Sequence, residues 1–230
     1  MAPSTDVQIA PLSDRDIPET FRMMSLSFGT DAPFINAYFL AHTTPAGQAS
    51  GAERLLAWKH SAPNSQFLRA VAASEDGGEV VIGIGIWTYM TEKPPQTLDE
   101  AEGEEGVSKY WPEDGDREWM RALWREYVKP RTAAVVGAEG KGVYVLELLA
   151  VHPEYRRLGA GAALVNAGLK AAEEKGVGAI IESTDAGRPL YEKCGLKCEI
   201  EKMVFDVGEQ FSGKKTPKLC FMVKEAAAAS

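Results

Sequence analysis

The chain has 230 residues, with 25 Lys and Arg against 33 Asp and Glu, a formal net charge of −8 and a pI near 5.1. Hydrophobic residues at 45% and charged residues at 25% fit one soluble domain, or one domain carrying a large insertion, and exclude a disordered or collagen-like chain. Net acidity argues against a nucleic-acid partner, because phosphate neutralisation needs clustered Lys and Arg, and no apolar run approaches the roughly 18 residues of a membrane span.

Val7–Leu12 reads as a short strand. Ser13-Asp-Arg-Asp then caps a helix predicted over Ile17–Phe28, and a second helix is expected near Gly51–His60. Gln66–Ala73 and Glu79–Met90 are β-rich and joined by Asp76-Gly77-Gly78, a hairpin signal. Gly83 and Gly85 inside the second strand predict a bulge or a close backbone approach. Thr91–Gly140 breaks the pattern. Its stretch Asp99–Glu118 holds nine acidic residues and two basic ones, which reads as a solvated surface insertion. Helical spacing of Trp119, Leu123, Trp124, Tyr127 and Val128 predicts a helix over about Asp116–Lys129 with Pro130 as its stop. Trp119 and Trp124, beside carboxylates, are candidates to line a pocket for an organic amine, with core packing as the competing account.

From Gly142 the order is regular: a strand over Val143–Val151, a loop over His152–Arg157, and a helix over Gly159–Lys175. A strand over Ala179–Ser183, a short helix over Arg188–Cys194 and strands over Lys197–Val207 and Leu219–Lys224 follow. Turn-rich Ser212–Pro217 suggests a hairpin between the last two strands, and the tail Ala226–Ala229 is expected to fray. Cys194, Cys198 and Cys220 are odd in number with no His nearby, so neither a disulfide framework nor a zinc site is expected. The first residues show no cationic start followed by an apolar run, and the setting is expected to be cytoplasmic.

The informative stretch is Val143–Gly161, VYVLELLAVHPEYRRLGAG. A strand runs through a loop with two Arg and two Gly into an Ala-rich helix. The first turn of a helix leaves N–H groups unpaired at the positive end of its dipole, which makes an anion seat. Gly159 and Gly161 let a phosphate come close, and Arg156 or Arg157 adds charge. A dinucleotide fingerprint fails because position 164 is Leu, and a P-loop fails because Gly161 is followed by Ala162-Ala163.

Arg156-Arg157-Leu158-Gly159-Ala160-Gly161 resembles the (Q/R)-x-x-G-x-G/A motif of the GNAT superfamily of N-acetyltransferases. Leu149-Ala-Val-His-Pro153 before it and Arg188-Pro-Leu-Tyr-Glu-Lys-Cys-Gly-Leu196 after it, similar to the family's L-Y-x-x-x-G-(F/L) segment, extend the resemblance over Val143–Val207. The region looks most like fungal GNAT-domain proteins of unassigned substrate. The resemblance implies a single α/β domain over 1–230, with a mixed central sheet splayed between two parallel strands and helices on both faces. It also implies an acetyl-CoA-binding core at about 142–207 and an insertion at about 91–140. Acetyl-CoA, the cosubstrate, is expected along the backbone of Leu149, Ala150 and Val151. Its pyrophosphate falls on the amides of Arg157, Leu158, Gly159, Ala160, Gly161 and Ala162, and Ser183 and Thr184 contact its arm or cap the next helix.

Tyr191 matches the family's general acid. Glu147 is the candidate base, because a carboxylate sharing a strand face with Val145, Leu149 and Val151 is out of pattern. Glu182 competes for that role, and His152 reads as structural. The expected reaction is N-acetylation of a small-molecule primary amine by direct attack in a ternary complex, without metal, nucleic acid or membrane, by a monomer or homodimer. Acetylation of protein lysines or N-termini, and a non-catalytic CoA sensor, are the alternatives.

Overall fold

The computed structural model describes residues 7–74 and 78–226. Its strands β1 (Gln8–Pro11), β2 (Ser65–Ala73), β3 (Glu79–Met90), β4 (Val143–Val151), β5 (Ala179–Thr184), β6 (Lys197–Ile200) and β7 (Leu219–Lys224) form one sheet in the order β1-β2-β3-β4-β5-β7-β6. All neighbours pair antiparallel except β4 and β5, which are parallel. The helices are α1 (Ile17–Phe28), α2 (Pro33–Tyr38), α3 (Pro45–Ser61), α4 (Leu98–Tyr110), α5 (Asp114–Gly137), α6 (Ala160–Glu174) and α7 (Arg188–Lys193). Ile84, Ile86, Leu148 and Ala150 pack with residues of α1 and α3 on one face, while Trp87, Leu146 and Ile181 pack with α6 on the other. The mixed, two-faced sheet expected from the sequence is therefore present.

Glycines seat α6 on β3. A Cβ at Gly85 would sit 3.3 Å from Leu164 Cβ, and one at Gly168 would sit 2.1 Å from the Trp87 ring. The Trp87 Nε1–H, fully buried, donates to Leu164 O at 3.1 Å. Gly85 and Gly168 thus allow helix and strand to touch, which places the start of α6 beside the end of β4. A bulge also occurs, as Gly83 and Gly85 suggested: Ala70 faces Gly83 and Val71 faces Val81, leaving Ile82 as the extra residue.

The parallel pair is short. Tyr144, Val145 and Leu146 face Ala179, Ile180 and Ile181, and pairing ends there. β4 continues along β3 to Val151, and β5 continues along β7 to Thr184. The two strands part after Leu146 and Ile181, so an edge of β4 has no strand partner among the described residues.

Several expectations change. Pro130 does not stop α5, which runs on to Gly137 and buries Arg131 and Val135 beyond it. An interior Pro costs a helix about 3 kcal/mol, and here burial of the following turn offsets it. Residues 91–140 are not simply a solvated surface. Leu98 and Val107 of α4, Trp111 just after it, and Met120 and Leu123 of α5 form a core shared with Ala37 of α2. The strand expected over Lys197–Val207 ends at Ile200, and Met203 and Val207 pack inward from irregular backbone. The short α2 carried no periodic signal, and α3 starts at Pro45, capped by Thr44 Oγ1 accepting from Gly47 N–H. Of the expected hairpin turn, Asp76 and Gly77 lie outside the described residues, as do Ala227–Ala229 of the tail.

Candidate active site

The turn between β4 and α6 leaves a run of backbone amides without protein acceptors among the described residues. Arg157 (φ 68°) and Gly159 (φ 92°) both lie in the left-handed region. Among the described residues, no protein group accepts from the N–H of residues 157–162; the first bond of the helix is Ala163 N–H to Gly159 O. Consecutive amides in such a turn form an anion-binding concavity, and the helix dipole adds to it. A Cβ at Gly159 meets nothing within 4 Å, while one at Gly161 would already lie 3.0 Å from Leu190.

Arg156 is a tether rather than a free phosphate ligand. Its Nη2 donates to Ser27 O at 2.9 Å, which ties the turn to the end of α1. Arg157 is exposed.

His152 N–H donates to Ile82 O. Backbone groups alternate sides along a strand, so Ala150 turns its N–H and C=O to β3, while Leu149 and Val151 turn theirs to the unpartnered edge. Ala150 is thus corrected from an expected backbone ligand to a ladder residue. Val151 O already accepts from Ser27 Oγ at 3.0 Å. Ser183 and Thr184 spend their hydroxyls locally: Ser183 Oγ donates to Thr184 O at 2.8 Å, and Thr184 Oγ1 accepts from Gly187 N–H at 3.2 Å. Neither caps α7, whose N-cap is Gly187 without a side-chain bond.

Glu147 sits at the parting of the strands for a reason the sequence concealed. Leu146 faces Trp87 and Leu148 faces Ile86, so Glu147 is the extra residue of a bulge. The bulge shifts the alternation. Leu149 and Val151 turn to the α6 face, whereas Val145 packs on the opposite face. The expected common face of 145, 147, 149 and 151 is corrected accordingly.

Arg131 Nη1 donates to Glu147 Oε2 at 2.6 Å, with side-chain exposures of 5% and 15%. The same guanidinium grips Glu182 twice, Nε to Oε1 at 3.1 Å and Nη2 to Oε2 at 2.7 Å. Tyr127 OH donates to Glu182 Oε2 at 3.2 Å and accepts from Arg131 Nη2 at 3.0 Å. Burial alone would discharge Arg131, but the two carboxylates outweigh it and hold its pKa well above the usual range. Burial pushes the Tyr127 phenol up, so it stays protonated. Glu182 is closed off at 1% side-chain exposure with both oxygens partnered. Glu147 Oε1 has no partner among the described residues and is not enclosed. That asymmetry favours Glu147 over Glu182 as the carboxylate available for chemistry.

Tyr191 packs on α7 with Leu146, Ile181 and Cys220, on the α6 face. It is 7% exposed, yet its hydroxyl has no partner among the described residues and is not sealed in. Burial raises its pKa, so the phenol carries its proton at neutral pH. Glu147 and Tyr191 therefore flank the gap from opposite faces of the sheet.

Trp119 is corrected to a core residue. It is 6% exposed among Leu98, Met120 and Leu123, with its ring 5.2 Å from Phe211. Trp124 is half-buried and stacks on Tyr38 at 6.2 Å. Phe34 lies 4.3 Å from Tyr127, so α2 and α5 bring an aromatic wall up to the Arg131 cluster. A surface cleft of about 370 Å³ along 62–65 and 88–95 has the exposed Glu92 as its only carboxylate, and Trp124 Nε1–H donates to Pro95 O at its edge. Among the described residues no His, Cys, Asp and Glu cluster could hold a metal.

Residues 35–196 match the model of the acetyltransferase (GNAT) family. The chain belongs to that family. Solved structures of the same fold include arylalkylamine N-acetyltransferase 2 from Aedes aegypti, at 15% identity and a TM-score of 0.63 over 96% of this chain and 99% of that one. The polyamine N-acetyltransferase of Drosophila melanogaster aligns at 14% identity and a TM-score of 0.62, over 96% of this chain and 100% of that one. A histone acetyltransferase HPA2 and related acetyltransferase from Corynebacterium glutamicum aligns at 16% identity and a TM-score of 0.59, over 97% and 98%. No curated protein matches the chain. GNAT proteins are acyltransferases that use acetyl-CoA as cosubstrate. The open turn and the vacant edge of β4 have the form that such a cosubstrate requires: amides for a diphosphate and unpaired backbone for an amide-bearing arm. Arg131 was missed from the sequence, because a proline directly before it reads as a helix end, and Tyr127 was read only as part of the helical pattern.

Proposed function

We propose that this protein transfers the acetyl group of acetyl-CoA to a small cationic primary amine, by direct attack in a ternary complex. The observation that carries the reading is the gap between β4 and β5, flanked by an open carboxylate oxygen on Glu147 and an unpartnered phenol on Tyr191. The cosubstrate supplies an activated acetyl thioester. Glu147 Oε1 attracts the acceptor ammonium and takes its proton. The freed nitrogen lone pair adds to the acetyl carbon, the nitrogen gives its second proton to solvent as the carbon–sulfur bond breaks, and Glu147 then releases to solvent the proton it took. Tyr191 then protonates the leaving sulfur, and solvent restores its proton. Amides of 157–162 and the edge groups of Leu149 position the thioester.

Charge supports a cationic acceptor. Arg131 balances one of two carboxylates, so the cluster of Glu147, Glu182 and Arg131 keeps one net negative charge. Two of the similar folds are named for arylalkylamines and polyamines, which are small amines of this kind. A single domain with its cofactor core at about 142–207 and an insertion at about 91–140, acting in the cytoplasm, belongs to the same proposal. No described helix is long and apolar enough to cross a membrane.

The test is thiol release from acetyl-CoA against polyamines, arylalkylamines, amino sugars and lysine peptides. Turnover with a small amine, lost in Glu147→Gln, is the expected result. Turnover with peptides alone, or with no amine at all, overturns it.

A further inference from the structure

The first residues beyond the parallel pairing on each strand are both glutamates. Pairing ends at Leu146 on β4 and Ile181 on β5, and Glu147 and Glu182 follow directly. One guanidinium, from a third element, holds both. Arg131 lies in α5, is 4% exposed, and reaches Glu182 through two nitrogens and Glu147 through one.

We infer that Arg131 is a positioning residue for acyl transfer: it pins the two strands at the mouth of the gap and leaves Glu147 Oε1 turned to the acceptor. The inference rests on the reading of Glu147 as the base. The geometry divides the labour. The fork of Arg131 matches both oxygens of Glu182, a fixed bidentate pair that is neutral within itself. On Glu147 it takes only Oε2. A carboxylate on a bulged strand with one oxygen anchored has one oxygen left in a defined place, and proton transfer depends steeply on such placement. Tyr127 completes the clamp by bridging Glu182 and Arg131. Other charged groups near this face are themselves paired. Arg54 of α3 is bound to Glu102 of α4, and Tyr38 OH donates to Glu102 at 2.7 Å. Tyr38 is held protonated by burial. Glu147 is therefore the uncompensated charge that the clamp aims.

A purely structural Arg131 would matter only as the counter-ion of Glu182, and a double variant separates the two roles. Arg131→Met with Glu182→Gln removes the internally neutral pair and keeps Glu147. The expected result is a folded protein whose melting temperature still rises with acetyl-CoA as in wild type. Its kcat for the amine falls by about 10²-fold, the scale of a misplaced catalytic group, and the KM for acetyl-CoA stays within about twofold of wild type. Wild-type kcat in that folded variant overturns the inference. Should the double variant not fold, Arg131→Lys keeps the charge and loses the fork; a tenfold or greater drop in kcat at unchanged acetyl-CoA affinity supports positioning, and unchanged kcat overturns it. Glu147→Gln is run beside them. Full activity in that variant removes the base assignment itself, whereas its loss together with fully active Arg131 variants removes only the positioning role.

Discussion

The segment from Val143 to Leu196 and the segment from Phe34 to Arg131 meet at one gap, but they are built differently. The first places its chemistry by chain neighbours: a strand, a left-handed turn and a helix start carry the amides of 157–162 within a few residues. The second places its chemistry by packing. Arg131, Tyr127 and Phe34 come from helices far apart in the chain and reach β4 and β5 only after α2, α4 and α5 share a core. A motif can evolve as a unit when its parts are sequential. A cluster assembled across elements has no such unity, since Arg131 reaches Glu147 and Glu182 of the first segment from a helix of the second.

The largest expected effect breaks the first half alone. Gly161→Arg fills the phosphate seat and presses on Leu190. Acetyl-CoA should then produce no rise in melting temperature, where saturation at about 100 Kd gives roughly 2.7 kcal/mol of stabilisation in a competent site. Retained stabilisation removes the turn from the site. Next, Glu147→Gln should lower kcat by about 10²–10⁴-fold, the range of general-base catalysis, with the acetyl-CoA-induced shift intact. A steady-state assay paired with a melt checks both clauses.

Trp119→Ala should cost about 3–5 kcal/mol of stability, as for a buried aromatic, without a selective change in acceptor KM. Equilibrium unfolding decides it, and a raised KM at normal stability would return Trp119 to the pocket. Tyr191→Phe should reduce kcat about 10–100-fold, less than the base variant, because a thiolate leaves without a full proton transfer.

The smallest effect concerns pH. Burial lowers the pKa of His42, whose ring lies 2.8 Å from Ser25 Oγ and 2.9 Å from Asn36 Oδ1. The unfolded chain therefore binds the proton more readily than the native one below about pH 6.5, and stability falls as pH drops through that value. Melts between pH 7.5 and 5.5 should show a loss that is smaller in His42→Gln. An equal loss in both assigns the effect elsewhere.

Much of the fold was legible. β4, β7, α1 and β3 fall where hydrophobic period and breakers put them, since these signals are local. Glu147 stood out as a charge in an apolar strand, but the bulge that aims it did not show, because register depends on the partner strand. The end of α5 was misjudged at Pro130, since a local rule was overruled by the burial of Arg131 and Val135. Trp119 and Trp124 have the same residue type and neighbouring positions in one helix. Only packing made one a core residue and left the other half-buried beside Tyr38.

By itself the amino-acid order determined the family, the alternation of elements and the glycine-bearing turn before α6, because each rests on residues within one or two turns of one another. Tertiary structure alone decided which carboxylate stays open and which is sealed. That choice depends on where a single guanidinium from a distant helix reaches, and the free energy of a buried charge is set by its neighbours in space, not in sequence.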